Sequence, residues 1–286
     1  MKPDVKAFFH KPTYTVSYVV SDPESKKAII IDSALDYDNA SGRTATTAAD
    51  EVISFVKSEG LSVEWILETH VHADHLTAAP YLQQQLGGKI GIGGVVKTVQ
   101  STFKKIYNLG DEVPDDGSQF QYLFRDGETF TVGGLKIDVM ATPGHTPACV
   151  TYKIGDAAFV GDTMFMPDYG TARCDFPGGD ARKLYQSIRK ILAYPPETRL
   201  FMCHDYAPGG REYLWETTVA EQRAKNIHIH DGVSEEEFVK MRTERDATLS
   251  MPVLIIPSIQ VNMRAGNLPK AEDNGIAYLK VPLNAL

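Results

Sequence analysis

Four side chains able to bind a metal ion fall within six positions: His70, His72, Asp74 and His75, in the run THVHADHLTAAP at 69–80. Neutral imidazole and carboxylate are natural ligands of zinc, iron and manganese. One loop cannot aim all four groups at a single ion without strain, whereas two adjacent ions divide them sensibly. Three further candidates follow downstream: His145 in PGHT, Asp162 in VGDT and His204 in CHDY. His70, His72 and His145 suit one ion, and Asp74, His75 and His204 a second. Asp162, with two carboxylate oxygens, is able to bridge them. The competing reading is a set of core or surface histidines that pair with carboxylates. It requires four separate strand ends to coincide.

Those strand ends are what must position the ligands. YTVSYVV (14–20) and KAIIID (27–32) read as a hairpin, because DPESKK between them is rich in turn formers. TATTAADEVISFVKSEG (44–60) reads as a helix stopped by Gly60. VEWILET (63–69) reads as a strand running into His70, and HLTAAPYLQQQLGG (75–88) as a helix. LKIDVMAT leads to His145, AAFVGD to Asp162, and RLFMCHD to His204. Sites usually occupy such loops, held at strand ends by a packed sheet. ARKLYQSIRKILAY (181–194) reads as an amphipathic helix. Strand runs and helices alternate in two halves, so the expected fold is α/β: an αββα sandwich of two mixed sheets flanked by helices. One domain over 1–286 is expected. Residues 95–120 read as an insertion that shapes a pocket wall or an oligomer contact. The C-terminal extension from about 227 carries a short helix, SEEEFVKMRTER, and a Pro-punctuated stretch.

Composition narrows the function. The 286 residues are enough for a sizeable core, and the net charge of −8 disfavours a phosphate-backbone binder. Neither nucleic acid nor membrane is an expected partner, since the longest apolar runs are far too short to span a bilayer. Cys149, Cys174 and Cys203 have no CxxC spacing and are odd in number. That argues against a disulfide framework and for a cytoplasmic setting.

The motifs THVHADH, PGHT, GDT and CHDY, in this order with their flanking strands, resemble the metallo-β-lactamase fold family over roughly residues 14 to 206. Lactam hydrolysis is disfavoured, because true β-lactamases often carry Cys where Asp162 stands. Flavo-diiron members carry HxExD and need a flavin domain that this chain is too short to hold. Two thiol-linked branches remain, persulfide dioxygenases and glyoxalase II hydrolases. Arg173-Cys174-Asp175-Phe176 and VNMRAG (261–266) look like the dioxygenase branch, most of all a bacterial subgroup named as β-lactamase-like hydrolases.

That resemblance implies one Fe(2+) held by His70, His145 and Asp162, with open positions for O₂ and a persulfide. His72, Asp74, His75 and His204 would orient the ligands or hold a second metal, Zn(2+) among the choices. The implied activity is oxidation of glutathione persulfide, or a similar small persulfide, to sulfite and thiol. The alternatives are a zinc thioester hydrolase like glyoxalase II, and a non-catalytic metal-binding partner of a sulfide-responsive regulator. Arg173 is expected to grip a substrate carboxylate, with Tyr206 and Thr146 as further substrate contacts. Cys174 is expected to be idle, His10, His228 and His230 structural or on the surface, and the assembly a homodimer.

Overall fold

The computed structural model describes residues 2–284; Met1 and residues 285–286 of the expected 1–286 domain lie outside the described residues. The first half builds β1 (Asp4–His10), β2 (Thr15–Ser21), β3 (Lys27–Ile31), the small pair β4 (Asp36–Asp38) and β5 (Arg43–Ala45), and α1 (Thr47–Ser58). It continues with β6 (Ser62–Leu67), α2 (Ala79–Leu86), β7 (Lys89–Gly93), α3 (Val96–Ile106) and β8 (Tyr122–Phe124). The second half builds β9 (Thr129–Val132), β10 (Leu135–Ala141), β11 (Val150–Ile154), β12 (Ala157–Phe159), α4 (Ala181–Ile191), β13 (Arg199–Phe201) and β14 (Glu216–Thr218). It closes with α5 (Val219–Lys225), α6 (Glu235–Asp246) and α7 (Ile255–Asn262).

Two six-stranded mixed sheets result, ordered β1-β2-β3-β6-β7-β8 and β14-β13-β12-β11-β10-β9. Three apolar cores separate four layers. Between the sheets lie Val16, Tyr18, Ile29, Ile31, Ile137 and Tyr152. Residues of α1, α2, α3 and α7 pack on the outer face of the first sheet, and residues of α4 and α6 on that of the second. Continuous apolar runs such as Ala28–Ile31 are buried on both faces, as a sheet inside a sandwich requires. This is the αββα sandwich read from the sequence.

Three local expectations need correction. The helix read over 75–88 begins only at Ala79. Pro80 restrains the residue before it and belongs in a first turn, so His75 stays in irregular loop. The stretch after 251 contains a helix, α7, because Pro257 falls in its first turn, where the missing N–H has no intrahelical partner anyway. Finally, α3 buries Val96, Val99 and Phe103 in the core as the crossover between parallel β7 and β8. Among the described residues no member of 95–120 lines the cavity over the histidine cluster; that wall comes from 165–176 and 242–254.

Candidate metal centre

The parallel register of β3 with β6 sets Ile31 beside Leu67, so the chain leaves both strands at one place. Asp32 follows β3 in a left-handed conformation, with φ of 52°. Its buried carboxylate accepts from the Thr69 amide at 2.7 Å, the Thr69 hydroxyl at 2.9 Å and His72 Nε2 at 3.0 Å. Glu68, also buried, faces the same His72 nitrogen at 3.2 Å. Asn262, at the end of α7, donates to the carbonyls of His72 and His75 at 2.9 and 2.7 Å and accepts from the Thr77 amide at 2.9 Å. The ligand loop is therefore clamped from β3 on one side and α7 on the other.

The later ligands are fixed by close approach. Gly144 has φ of 147°, and a Cβ there would come within 2.3 Å of the Leu184 Cα, so only glycine lets α4 abut the His145 turn. Gly161, with φ of 53°, brings the Asp162 turn against Thr69, whose hydroxyl would lie 2.5 Å from an added Cβ. Arg211 holds Asp205, next to His204, in a two-pronged pair at 2.6 and 2.7 Å.

Every histidine of the site has one ring nitrogen engaged by the protein. Nδ1 of His70 meets the Thr69 hydroxyl at 3.0 Å, His75 the Leu76 carbonyl at 3.2 Å, His145 the Arg173 carbonyl at 2.8 Å and His204 the Tyr14 carbonyl at 3.2 Å. His72 is engaged through Nε2 instead. The Thr69 hydroxyl donates to Asp32, so it accepts from His70. The second nitrogens of His70, His72, His75 and His204, with Asp162 Oδ1, are buried and have no hydrogen-bond partner. Five converging orphaned acceptors would be costly in an ordinary core. They are what a cation requires, each imidazole being fixed in the tautomer that frees a lone pair.

Asp162 divides the site. Its Oδ2 lies 3.8 Å from Nε2 of both His70 and His145, while Oδ1 lies 3.4 Å from His204 Nε2. His204 Nε2 is also 3.1 Å from Asp74. Ligand atoms of His70, His145 and Asp162 lie within 4.8 Å of one another, as do those of Asp74, Asp162 and His204. All seven candidate residues read from the sequence are thus brought together. His72, His75, Cys203 and His204 form another compact set, but burial, then the Asp32 charge, pushes the Cys203 thiol well up.

Charge follows burial. Desolvation, then repulsion from His72, holds His70 well below the ordinary histidine range, and desolvation takes His75 down to about 3. Desolvation raises Asp162, a shift that a cation beside it would reverse. His72 goes the other way: burial opposes its charge, but Asp32 and Glu68 outweigh that and raise it well above the usual range. A metal at Nδ1 would displace that second proton.

A cavity of about 550 Å³ opens over Asp74, His145 and Asp162. Arg173 and Tyr206 line it, as expected. The Arg173 fork is closed on Asp175, however, at 2.6 Å for both prongs, and on the Ser250 carbonyl at 2.7 Å. Tyr206 stacks on Tyr169 with centroids 4.7 Å apart. Thr146 does not line the cavity; its hydroxyl lies 3.1 Å from Cys149 Sγ and accepts from the Ala148 amide. Cys174 is buried and pushed up by desolvation, so its thiol stays protonated. His10 pairs with Asp36, and His228 accepts from the Thr171 amide, so both are structural.

Asp32, Glu68 and Asn262 were not among the sequence candidates. Asp32 carried a signal, a carboxylate directly after an apolar strand like the others. Asn262 lies inside VNMRAG, a stretch whose resemblance assigns it no role.

Comparison with known proteins agrees with this geometry. The model of the metallo-beta-lactamase superfamily matches residues 10–204. A Burkholderia pseudomallei protein named a probable metallo-hydrolase is 57% identical over 292 residues, 99% of each chain. Glyoxylase B2 of Dictyostelium discoideum is 54% identical over 287 residues, 100% of this chain and 98% of the other. The mitochondrial persulfide dioxygenase ETHE1 of Bos taurus is 30% identical over 265 residues, 92% of this chain and 88% of the other. No helix among the described residues is long and apolar enough to cross a membrane. With its strand-end ligands, its four layers and the family match over most of its length, the chain belongs to the metallo-beta-lactamase superfamily.

Proposed function

We propose that this metal-dependent enzyme acts on the sulfur-bearing end of a small thiol conjugate, and that it hydrolyses a thioester in the manner of glyoxalase II. The observation that carries this is the donor set. Four imidazoles each leave one buried ring nitrogen without a hydrogen-bond partner, and one carboxylate splits its oxygens between two groups. That set fits two adjacent cations, which when bound would supply Lewis acidity toward a carbonyl and water of lowered pKa. The relatives at 57% and 54% identity, named a metallo-hydrolase and a glyoxylase, favour this reading over the relative at 30%.

The protein's own part is positioning. Asp32 and Glu68 hold His72, and Asn262 and Thr69 hold the loop that carries it. Tyr206 and Tyr169 form an aromatic shelf along the cavity, against which a thiol carrier would lie. Phe165 and Phe176 keep the adjoining wall apolar and exclude water from the reacting end.

Persulfide dioxygenation with O₂ is the second reading. It is favoured by the compactness of His70, His145 and Asp162, a two-histidine, one-carboxylate set of the kind that suits iron. Iron there would pass electrons between a persulfide sulfur and O₂. Arg173-Cys174-Asp175-Phe176, on the cavity wall, is the sequence feature that supports it.

Metal counting and two assays on one anaerobically purified preparation separate the readings. Two ions per chain, a single ion in His204→Ala, and release of thiol from S-lactoylglutathione without oxygen uptake are the expected results. One iron per chain, kept in His204→Ala, with oxygen uptake on glutathione persulfide, would overturn hydrolysis in favour of the dioxygenase.

A further inference from the structure

The β1–β2 turn ties the two sheets together beside the metal centre, and a line of polar side chains runs through it. Thr15 opens β2 opposite His10, the last residue of β1, and also bridges to His204, just past β13 in the second sheet. Tyr14 lies in the left-handed region, with φ of 58°, where residues other than glycine are uncommon. That conformation turns its carbonyl onto His204 Nδ1 and the Asp205 amide, both at 3.2 Å. A carbonyl only accepts, so His204 Nδ1 carries the proton and shares it with the Thr15 hydroxyl at 3.4 Å. The Thr15 and Thr13 hydroxyls are 2.8 Å apart, and Thr13 lies 2.7 Å from His10 Nδ1. His10 Nε2 faces the Asp36 carboxylate at 3.3 Å. Asp36 in turn accepts from the Ala48 amide, in the first turn of α1, at 3.0 Å.

The two ends of the line fix its direction. Asp36 accepts from His10 Nε2, so Nδ1 of the neutral His10 ring accepts from Thr13. Thr13 then accepts from Thr15, and Thr15 from His204, so every proton points away from the metal ligand. His70 has a shorter version: its Nδ1 donates to the Thr69 hydroxyl, which donates to Asp32 at 2.9 Å. His75 and His145 each stop at a single carbonyl.

We propose that His10 is a positioning residue for His204, acting through Thr13 and Thr15. The inference rests on the reading that His204 presents Nε2 to a metal ion. An imidazole whose N–H is drawn to an acceptor is a stronger ligand through its other nitrogen. Hydrogen bonds in a chain also polarise one another. The line therefore carries the pull of half-buried Asp36 to the buried ligand. It would tune the grip on an ion held by Asp74, Asp162 and His204, and leave the group of His70 and His145 untouched.

The test uses zinc-loaded enzyme, isotope-labelled at histidine nitrogen, with zinc affinity read by chelator competition. No substrate is added, because Thr13 also lines the cavity. Thr13→Val cuts the line without altering His10 or His204, and His10→Phe removes its acceptor. In both, the His204 Nδ1–H resonance, identified by its loss in His204→Ala, is expected to move upfield. The ion lost in His204→Ala should loosen about tenfold or more, with the other unchanged. Thr13→Ser keeps the hydroxyl and should restore both. An unmoved resonance in Thr13→Val would overturn the relay. So would a resonance that moves in Thr13→Val but not in His10→Phe, since the line would then end at the threonines. Equal loosening of both ions would make these residues general supports of the fold. If His10→Phe does not fold, Asp36→Asn takes its place: it keeps an acceptor for His10 but loses the charge, so a smaller move of the same sign is expected, and no move overturns the relay. The two-ion reading fails separately, on one ion per chain that His204→Ala retains. The Nδ1–H resonance in the same preparation then still decides whether His10 reaches His204.

Discussion

The floor of the cavity and its wall are built on different principles. On the floor each histidine has one ring nitrogen held by the protein and the loop is tied to distant parts of the chain: Asp32 on His72, Asn262 on the loop carbonyls, the Tyr14 carbonyl on His204. On the wall, Tyr169 and Tyr206 stack on each other and on Phe165, and they line the open cavity together with Leu249 and Arg245. The floor is preorganised for a cation, whose ligands tolerate little misplacement. The wall is shaped for a carrier, whose contacts are spread out. Floor substitutions should therefore remove metal and turnover together, whereas wall substitutions should change binding and leave the metal in place.

The strongest break is expected at Asp162, which faces both ligand groups. Asp162→Ala should lose every bound ion and lower turnover by on the order of a thousandfold or more, several kcal/mol of metal assistance. Elemental analysis checks the first part and the thioester assay the second. Full metal occupancy in this variant would end its role as the shared ligand.

Asp32 tests whether floor support matters as much as ligation. Asp32→Ala leaves the buried Thr69 amide and hydroxyl without their acceptor and leaves His72 Nε2 only the Glu68 carboxylate. Breaking such a buried pair costs about 3–5 kcal/mol, read from denaturant unfolding. Metal affinity, read by chelator competition, should fall about ten- to a hundredfold. Asn262→Ala is the milder version: it strands two carbonyls and one amide, and the expected loss is about 2–3 kcal/mol. If Asn262→Ala kept wild-type metal affinity, α7 would be a packing helix and not part of the floor.

Floor and wall also differ in how far they could be read from sequence. Donor chemistry is written in residue types, so His70, His72, Asp74, His75, His145, Asp162 and His204 all emerged from motif and spacing. Their supports did not. A lone carboxylate such as Asp32 or Glu68 acquires its role from the β3–β6 register, a long-range pairing invisible in local periodicity. The wall was harder still. Arg173 has the right type and place, but sequence gave no sign that Asp175 closes its fork. Arg245 sits in a run of charges, EEEFVKMRTER, that reads as a solvated helix face. Pro257 hid α7, and with it Asn262.

Arg173 gives the smallest and most diagnostic effect. If its guanidinium met substrate directly, Arg173→Lys would raise KM markedly, because lysine keeps the charge but loses the planar fork. The observed pairing points to a structural part instead. Arg173 joins Asp175 to the Ser250 carbonyl, and its own carbonyl accepts from His145 Nδ1. That last contact is made by the backbone and survives any side-chain change. Lysine should keep the contact to Asp175 in weaker form, and a partly exposed pair contributes about 1 kcal/mol or less. Arg173→Lys is therefore expected to keep its metal and lower kcat/KM by only a few-fold, about fivefold for 1 kcal/mol. KM and kcat should share the loss as the segment around 250 loosens. Steady-state kinetics at matched metal content decide the matter. A tenfold rise in KM at unchanged kcat would return Arg173 to direct contact with the substrate.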